Sequence, residues 1–213
     1  MDRFAYPLVF EPGTSWTYGT AIDWAGKVVE RLTGSGLEEL VQEGIARPLG
    51  LNTVTFFPYA EGKERLGAKV PALTARMPDG KLMLHTEPFM NIDPLDAMGG
   101  HGAYASLAEY IHILRSLLAN DGKLLRRETV EMMFQPQLTR ESKEALGAVM
   151  KTPVAQLFIG EWKPELELDW GLGGILLRSD GDGRRKKGSL SWGGVANTVG
   201  CVSSSLRTVF TQC

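Results

Sequence analysis

The stretch FEPGTSWTYGTAIDWAGKVVERLTG, residues 10–34, places a turn, two aromatic residues and a helix next to one another. Its Pro-Gly step predicts the turn. Thr20 with Asp23 three residues later is typical of a helix start, and Gly34 is typical of a helix end. Apolar residues recur at helical spacing between these positions, which predicts a helix. Tyr18 therefore stands between the turn and the helix, where its side chain would be exposed.

The rest of the chain contains further helices first and strands later, which indicates an α+β fold. Capping signals and apolar periodicity predict helices over residues 37–47, 107–119, 127–134 and 141–150. Extended segments are predicted at 53–57, 81–85, 171–177 and 188–192, with hairpin turns at 79–80 and 179–185. The last residues, VGCVSSSLRTVFTQC (199–213), show no helical stripe, and no element is predicted there.

The composition is that of a globular chain without a charged partner. The 213 residues are 43% hydrophobic and carry a net charge of -2, which gives no electrostatic reason to expect nucleic acid or an anionic membrane surface. The apolar runs are too short to span a bilayer, and the N-terminus has no signal-peptide pattern. Cys201 and Cys213 are too few for a disulfide framework, so we expect a cytoplasmic protein.

Most motifs that would bring a metal or a cofactor are missing from the sequence. His85, His101 and His112 do not pair with one another or with the cysteines at metal-ligand spacing, so no metal is predicted. The glycines form neither a dinucleotide-binding nor a phosphate-binding loop, so no cofactor is predicted. By itself, Tyr18 is best interpreted as a packing or interface aromatic. His101 lies between glycines, and we favour a structural role over a catalytic base.

Four motifs, in order along the chain, change the interpretation of Tyr18. They are residues 10–34 with the following 46–56, GGHGAY (99–104), WGLGG (170–174) and KGSLSWGG (187–194). Together they resemble the serine β-lactamase and penicillin-binding-protein superfamily, and within it the class C-like esterases and the fungal transesterases of polyketide pathways. The resemblance extends over roughly residues 7–197. It implies a β-lactamase-like fold, with a helical domain over residues 1–150 and part of an antiparallel sheet over residues 151–213.

The resemblance also implies roles for individual residues. In this family the serine of a Ser-x-x-Lys motif attacks an ester, thioester or lactam carbonyl, and a tyrosine in the position of Tyr18 handles its proton. A phenol has an ordinary pKa near 10 and needs a neighbouring cation to act as a base. Trp192, Gly193 and Gly194 match the family's strand at the cleft edge, where small residues let an acyl group approach a backbone N–H of the oxyanion hole. His101 would line the same cleft.

Two departures from the family pattern bear on the substrate. Thr20 replaces an asparagine that β-lactamases use to bind the amide of the lactam side chain. Trp192 replaces a lysine whose charge suits the carboxylate of a β-lactam. Both changes favour small-molecule esters or thioesters, including polyketide-type acyl groups, over penicillin-like compounds.

The third departure concerns the nucleophile, because none of the serines is followed by lysine at the third position. We expect a chain truncated at its N-terminus relative to the family. Three interpretations stay open: an acyl-transferring enzyme of the family type, an inactive remnant or interaction module, and a chain complemented by a second polypeptide that carries Ser-x-x-Lys. The open edges of a partial sheet would also favour self-association.

Overall fold

The structure of the protein is a computed structural model. It describes residues 7–60, 62, 64–67, 70–85, 94–153, 155, 163, 165–181, 186–194, 198–203 and 208–212. Its contacts divide the chain into two compact units. The sheet unit combines residues 1–19 with 110–213, and the α1 unit, named for helix α1 (Ala21–Thr33), comprises residues 20–109. The proposed domains 1–150 and 151–213 stay a prediction, since each unit combines helices with strands.

The α1 unit consists of short helices and one small hairpin. Its further elements are α2 (Leu37–Val41), a π-helical turn (Gln42–Ala46), α3 (Arg47–Leu49), α4 (Glu64–Gly67), β1 (Thr74–Arg76), β2 (Leu82–Leu84) and the first turn of α5 (Leu107–Ala119). The predicted turn at residues 79–80 is confirmed, because β1 pairs antiparallel with β2 and Gly80 has a φ of 84°. Of the predicted strand at 53–57, only Thr55 pairs, in an isolated bridge with Tyr104.

The ends of the first two helices differ in part from the sequence prediction. Gly34 ends α1 in the left-handed conformation, as predicted, with a φ of 76°. The Thr20 side chain makes no capping hydrogen bond; only its backbone carbonyl accepts, from Trp24 N. The Glu30 carboxylate instead accepts a hydrogen bond from Leu37 N at 2.8 Å, so a residue of α1 satisfies the first turn of α2.

The sheet unit is built on an antiparallel sheet of five strands in the order β3-β4-β5-β6-β7. The strands are β3 (Leu168–Gly171), β4 (Gly174–Leu177), β5 (Ser189–Gly194), β6 (Thr198–Ser203) and β7 (Thr208–Gln212), preceded by α6 (Arg127–Met133) and α7 (Arg140–Val149). Sequential antiparallel neighbours of this kind need only short connections. Leu146 and Met150 pack on Leu168, Ile175 and Leu177, and this cluster forms the core of the sheet unit.

One strand prediction is wrong. Residues 171–177 are not one strand, because Gly173 has a φ of 116° and reverses the chain between β3 and β4. The last residues, for which no element was predicted, form β6 and β7, and their strands pair with β5 and with each other. Strand propensity depends strongly on context, and pairing with an existing sheet decides the conformation of this segment. The predicted turn at 179–185 lies partly outside the described residues.

Candidate active site

Four aromatic side chains form a continuous row in the sheet unit. The ring centroids are 5.8 Å apart for Tyr18 and Trp192, 4.9 Å for Trp192 and Trp170, and 5.2 Å for Trp170 and Trp16. These separations are typical of tilted and edge-to-face aromatic contacts. We call Trp16, Trp170, Trp192 and Tyr18 the aromatic row. Its end residue, Tyr18, is 63% exposed, so the phenol is accessible while its ring packs against Trp192.

The segment that carries Tyr18 is attached to the N-terminus of α7. The Thr139 hydroxyl lies 2.9 Å from the carbonyl of Gly13 and also accepts a hydrogen bond from Ser142 N as the helix cap. The Ser142 hydroxyl lies 3.1 Å from the Gly13 carbonyl and 3.0 Å from that of Ser15. Trp16 packs against the core cluster one residue further on. These hydrogen bonds and the packing of Trp16 therefore hold the segment before Tyr18 in place.

The buried carboxylate of Asp169 precedes Trp170, a middle residue of the aromatic row, in the chain. Asp169 on β3 accepts hydrogen bonds at 3.2 Å from Gln137 N and Leu138 N, and at 2.8 Å from Trp170 N. Two of these donors, Gln137 N and Leu138 N, lie in the loop after α6, so their hydrogen bonds to the carboxylate restrain that loop. The Lys143 ammonium lies 4.0 Å from the second oxygen of Asp169. Asp169 thus ties the loop after α6 to the strand that carries Trp170.

Strand β5 carries Trp192, the residue against which Tyr18 packs. Its first three residues are buried, and Trp192, Gly193 and Gly194 are half-buried. Trp192 pairs with Gly200 on β6, and a side chain at Gly200 would collide with the Tyr110 hydroxyl, since its Cβ would lie 2.8 Å away. The structure therefore brings Tyr18 against Trp192, and Gly193 and Gly194 follow Trp192 on the same strand.

His101, a predicted site residue, lies in the α1 unit on a carboxylate of helix α1. Asp23 is 3% exposed, accepts a hydrogen bond from Gly100 N at 2.7 Å and lies 3.2 Å from His101 Nδ1. A buried carboxylate at Nδ1 orients an imidazole and fixes which nitrogen carries the proton. The His101 side chain is itself 42% exposed. The pair is thus an oriented histidine within the α1 unit.

The two glycines before His101 let this turn approach helix α1. A Cβ at Gly99 would lie 2.8 Å from the carbonyl oxygen of Ile22, and one at Gly100 would lie 3.0 Å from both carboxylate oxygens of Asp23. The Gly99 contact would force the turn away from the helix, and the Gly100 contact would press on the Asp23 carboxylate. Thr20, the remaining predicted residue, is half-buried at the start of the same unit.

Sequence reasoning missed four residues that shape these sites. Trp16 and Trp170 lie inside the quoted motifs, but the sequence does not distinguish an aromatic residue of the core from one of the site. Only the ring contacts separate the two roles. Asp23 was interpreted as a helix-start acid, whereas its carboxylate serves the glycine turn. Asp169 gave no signal, because one acid in a strand shows its buried contacts only in three dimensions.

Within the described residues, no group of three or more His, Cys, Asp or Glu side chains is placed to hold a metal ion. The same part of the chain contains no helix long and apolar enough to cross a membrane.

The sequence model of the beta-lactamase family matches residues 3–211. The chain belongs to the beta-lactamase family. This confirms the resemblance and the predicted α+β, β-lactamase-like fold. In this family member, the aromatic row and the glycine end of β5 lie within the matched range. The roles assigned to Tyr18, Thr20, His101, Trp192, Gly193 and Gly194 stay predictions.

Relatives of this beta-lactamase family member include fungal esterases and acyltransferases. The chain is 40% identical over 195 residues to lovastatin esterase of Penicillium rubens, covering 91% of this chain and 48% of that protein. It is 38% identical over 200 residues to monacolin J acid methylbutanoyltransferase of Aspergillus terreus, covering 93% and 48%. A LovD6 mutant of simvastatin synthase from Aspergillus terreus superposes with a TM-score of 0.90 at 38% identity, covering 99% of this chain and 53% of that chain. The chain therefore spans about half the length of these relatives.

Proposed function

We propose that this chain provides the phenol and the aromatic wall of an acyl-transfer site. The observation that carries the proposal is the contact between Tyr18 and Trp192, whose rings are 5.8 Å apart while Tyr18 stays 63% exposed. A proton-shuttling phenol must reach the reacting atoms and must also keep a fixed position. The packing of Tyr18 on Trp192 and the attachment of its segment to α7 support both requirements.

The proposed reaction is covalent transfer through serine. The hydroxyl of a Ser-x-x-Lys serine attacks the acyl carbonyl, and its proton passes to Tyr18 together with the lysine of that motif. The bond from the acyl carbon to the leaving alcohol or thiol then breaks, and Tyr18 returns the proton to that leaving group. An acceptor alcohol or water attacks the acyl-serine in the second step and releases the serine. The 213 residues contain no Ser-x-x-Lys, so the serine and lysine must come from other sequence.

The proposed substrates are esters or thioesters of small-molecule or polyketide-type acyl groups. Trp192 offers an apolar surface where a β-lactamase would place a cation, and Trp170 continues that surface at 4.9 Å. The relatives include a lovastatin esterase and a methylbutanoyltransferase, whose names agree with apolar acyl substrates. Gly193 and Gly194 are proposed to line the cleft beside Tyr18, and Thr20 and His101 stay predicted cleft residues of the α1 unit. Hydrolysis and transfer use the same first step, and the proposal covers both. The cytoplasmic location remains a prediction.

A second candidate function is that of an inactive family member that serves as an interaction module. The specific observation in its favour is the absence of Ser-x-x-Lys from the sequence. On this interpretation Tyr18 is an exposed interface aromatic.

A fluorophosphonate probe, which labels activated serines, separates the two candidates. The chain is tested alone and together with a polypeptide that carries the family's Ser-x-x-Lys helix. Labelling that appears in the mixture and is lost in Tyr18→Phe supports acyl transfer. The matched control is Tyr59→Phe, because Tyr59 is also exposed and packs on an aromatic neighbour, Tyr104, at 6.5 Å. Absence of labelling in the mixture favours the inactive module.

A further inference from the structure

Helix α1 turns its polar side to its own unit and its apolar side outward. Asp23 and Gly26 are buried, while Lys27 and Glu30 are half-buried. The apolar face is the set of residues on the other side: Ile22, Trp24, Ala25, Val28, Val29 and Leu32. Among its large side chains, exposure ranges from 42% to 80%. At about 100° per residue, the apolar face is continuous over about 160° of the helix. An ordinary surface helix has the reverse orientation.

Specific polar contacts fix this orientation. The Lys27 ammonium lies 2.8 Å from Glu30 and 3.1 Å from Asp96. Burial by itself would lower the pKa of Lys27, but the hydrogen bonds and charges of these two carboxylates outweigh it and raise the pKa. Asp23 holds Gly100 N, and Gly26 allows close approach, because its Cβ would lie 3.1 Å from Leu37 Cδ2. Rotating α1 to bury its apolar face would break the contacts that reach outside the helix, which are Lys27 with Asp96, Asp23 with Gly100 N and Gly26 with Leu37.

We infer that the apolar face of α1 is the docking surface for the part of the beta-lactamase-family fold that this chain does not span. A continuous exposed apolar patch of this size marks an interaction surface. The superposition on simvastatin synthase uses 99% of this chain but only 53% of that chain, so α1 has its counterpart in a fold about twice as long. The unspanned half of that fold is an occupant of the required size, and its core-facing side supplies the apolar complement.

The test is co-purification with a defined polypeptide. The probe is the part of the Penicillium rubens lovastatin esterase sequence that lies outside its 195 matched residues, co-expressed with this chain carrying an affinity tag. Val28→Asp and Leu32→Asp place a charge in the docking surface, and because both positions are exposed, neither removes packing from the chain itself. The matched control is Leu95→Asp in the same unit, since Leu95 is 97% exposed and lies outside α1. Circular dichroism checks that all variants keep their helical content.

The expected result is stable association with the unsubstituted chain and with Leu95→Asp, weakened at least about tenfold by each substitution in α1, because a buried unpaired carboxylate is costly. Equal binding by Val28→Asp, or no binding by the unsubstituted chain, overturns the inference. It is also overturned if the chain alone dimerises and Val28→Asp converts the dimer to a monomer, since a second copy then covers the face. The readout is binding, so it is independent of the catalytic role proposed for Tyr18.

Discussion

Tyr18 combines an exposed phenol with a ring held by Trp192, and these two properties have different consequences for substitution. Tyr18→Phe removes the hydroxyl and keeps the ring. We expect it to lower kcat/KM for ester cleavage by about 10²–10⁴-fold in a preparation that contains the Ser-x-x-Lys segment, because general acid–base catalysis contributes on that order. Stability should change by less than about 0.5 kcal/mol, as for other exposed positions.

Steady-state kinetics with an activated ester, together with urea unfolding, measure both effects. Tyr59→Phe serves as the control and should change neither. Full activity in Tyr18→Phe would show that the phenol does not move the proton.

The carboxylate of Asp23 has a structural role in the α1 unit. Asp23→Ala removes the charged acceptor of Gly100 N–H and the partner of His101, and we expect it to reduce the free energy of unfolding of the α1 unit by about 1.5–3 kcal/mol, as for hydrogen bonds to charged groups. Asp23→Asn keeps an acceptor oxygen of the same shape and should cost less. Urea unfolding measures the loss, and amide hydrogen exchange at Gly100 localises it. Equal stability of Asp23→Ala and the parent chain would contradict this role.

At the scale of elements, two glycines in neighbouring elements should respond in opposite ways to alanine. A Cβ at Gly171 on β3 would collide with the Met133 carbonyl and would lie 2.8 Å from Leu190. Gly171→Ala should therefore destabilise the sheet unit by about 1–3 kcal/mol. Gly147 lies within α7 and has nothing within 4 Å of its Cβ position, so Gly147→Ala should stabilise by about 0.5–1 kcal/mol.

Urea unfolding of both variants gives the comparison, and Gly147→Ala is the internal control for the effect of an added methyl group. A stabilising Gly171→Ala would show that β3 does not approach Met133 as closely as described.

The Lys27–Glu30 ion pair on α1 predicts how the free energy of unfolding depends on pH. Partial burial would raise the pKa of Glu30, but the hydrogen bonds from Lys27 and Leu37 N outweigh it and lower the pKa, while the pKa of Lys27 is raised. Glu30 therefore contributes stability above its unfolded pKa of about 4.3, and loses it as the pH falls through the lower folded value. Lys27 contributes below its unfolded pKa of about 10.4, and loses it as the pH rises through the higher folded value.

The measurement is the free energy of unfolding against pH for the parent chain and Glu30→Gln. The parent chain should be more stable at neutral pH, and the difference should shrink below about pH 4. Glu144→Gln is the control, because the Arg140–Glu144 pair on α7 is exposed and solvent screens it. A difference that stays constant down to acid pH would exclude the ionised Glu30 as its source.

For the whole molecule, the outer edge of β7 and the apolar face of α1 predict poor stability as a free monomer. β7 ends the described strand order, and an edge of unpaired backbone groups invites pairing with another chain. We expect self-association at micromolar concentrations, through β7 rather than through α1. Sedimentation velocity across a concentration series measures it, and Val28→Asp should leave it unchanged. A monomer that unfolds cooperatively at every concentration would refute the prediction.

Local signals were enough to predict α1, α5, α6 and α7. Each depends on apolar spacing and on residues such as Gly34, whose left-handed conformation needs no distant partner. The order of four short motifs was enough to predict the family, because each motif contains a turn or a strand end that the fold requires. The same motifs singled out Tyr18 and Trp192, whose rings are in contact in the sheet unit.

Only the tertiary structure decided the rest, since it depends on residues far apart in the chain. β6 forms because β5 offers it a partner, β7 forms on β6, and the segment 171–177 contains a chain reversal at Gly173. The contact of Asp23 with Gly100 joins residues 77 positions apart, and it leaves the apolar face of α1 outward. Sequence periodicity predicts that a helix has an apolar face. The direction in which that face points depends on which distant groups pair with the polar side of the helix.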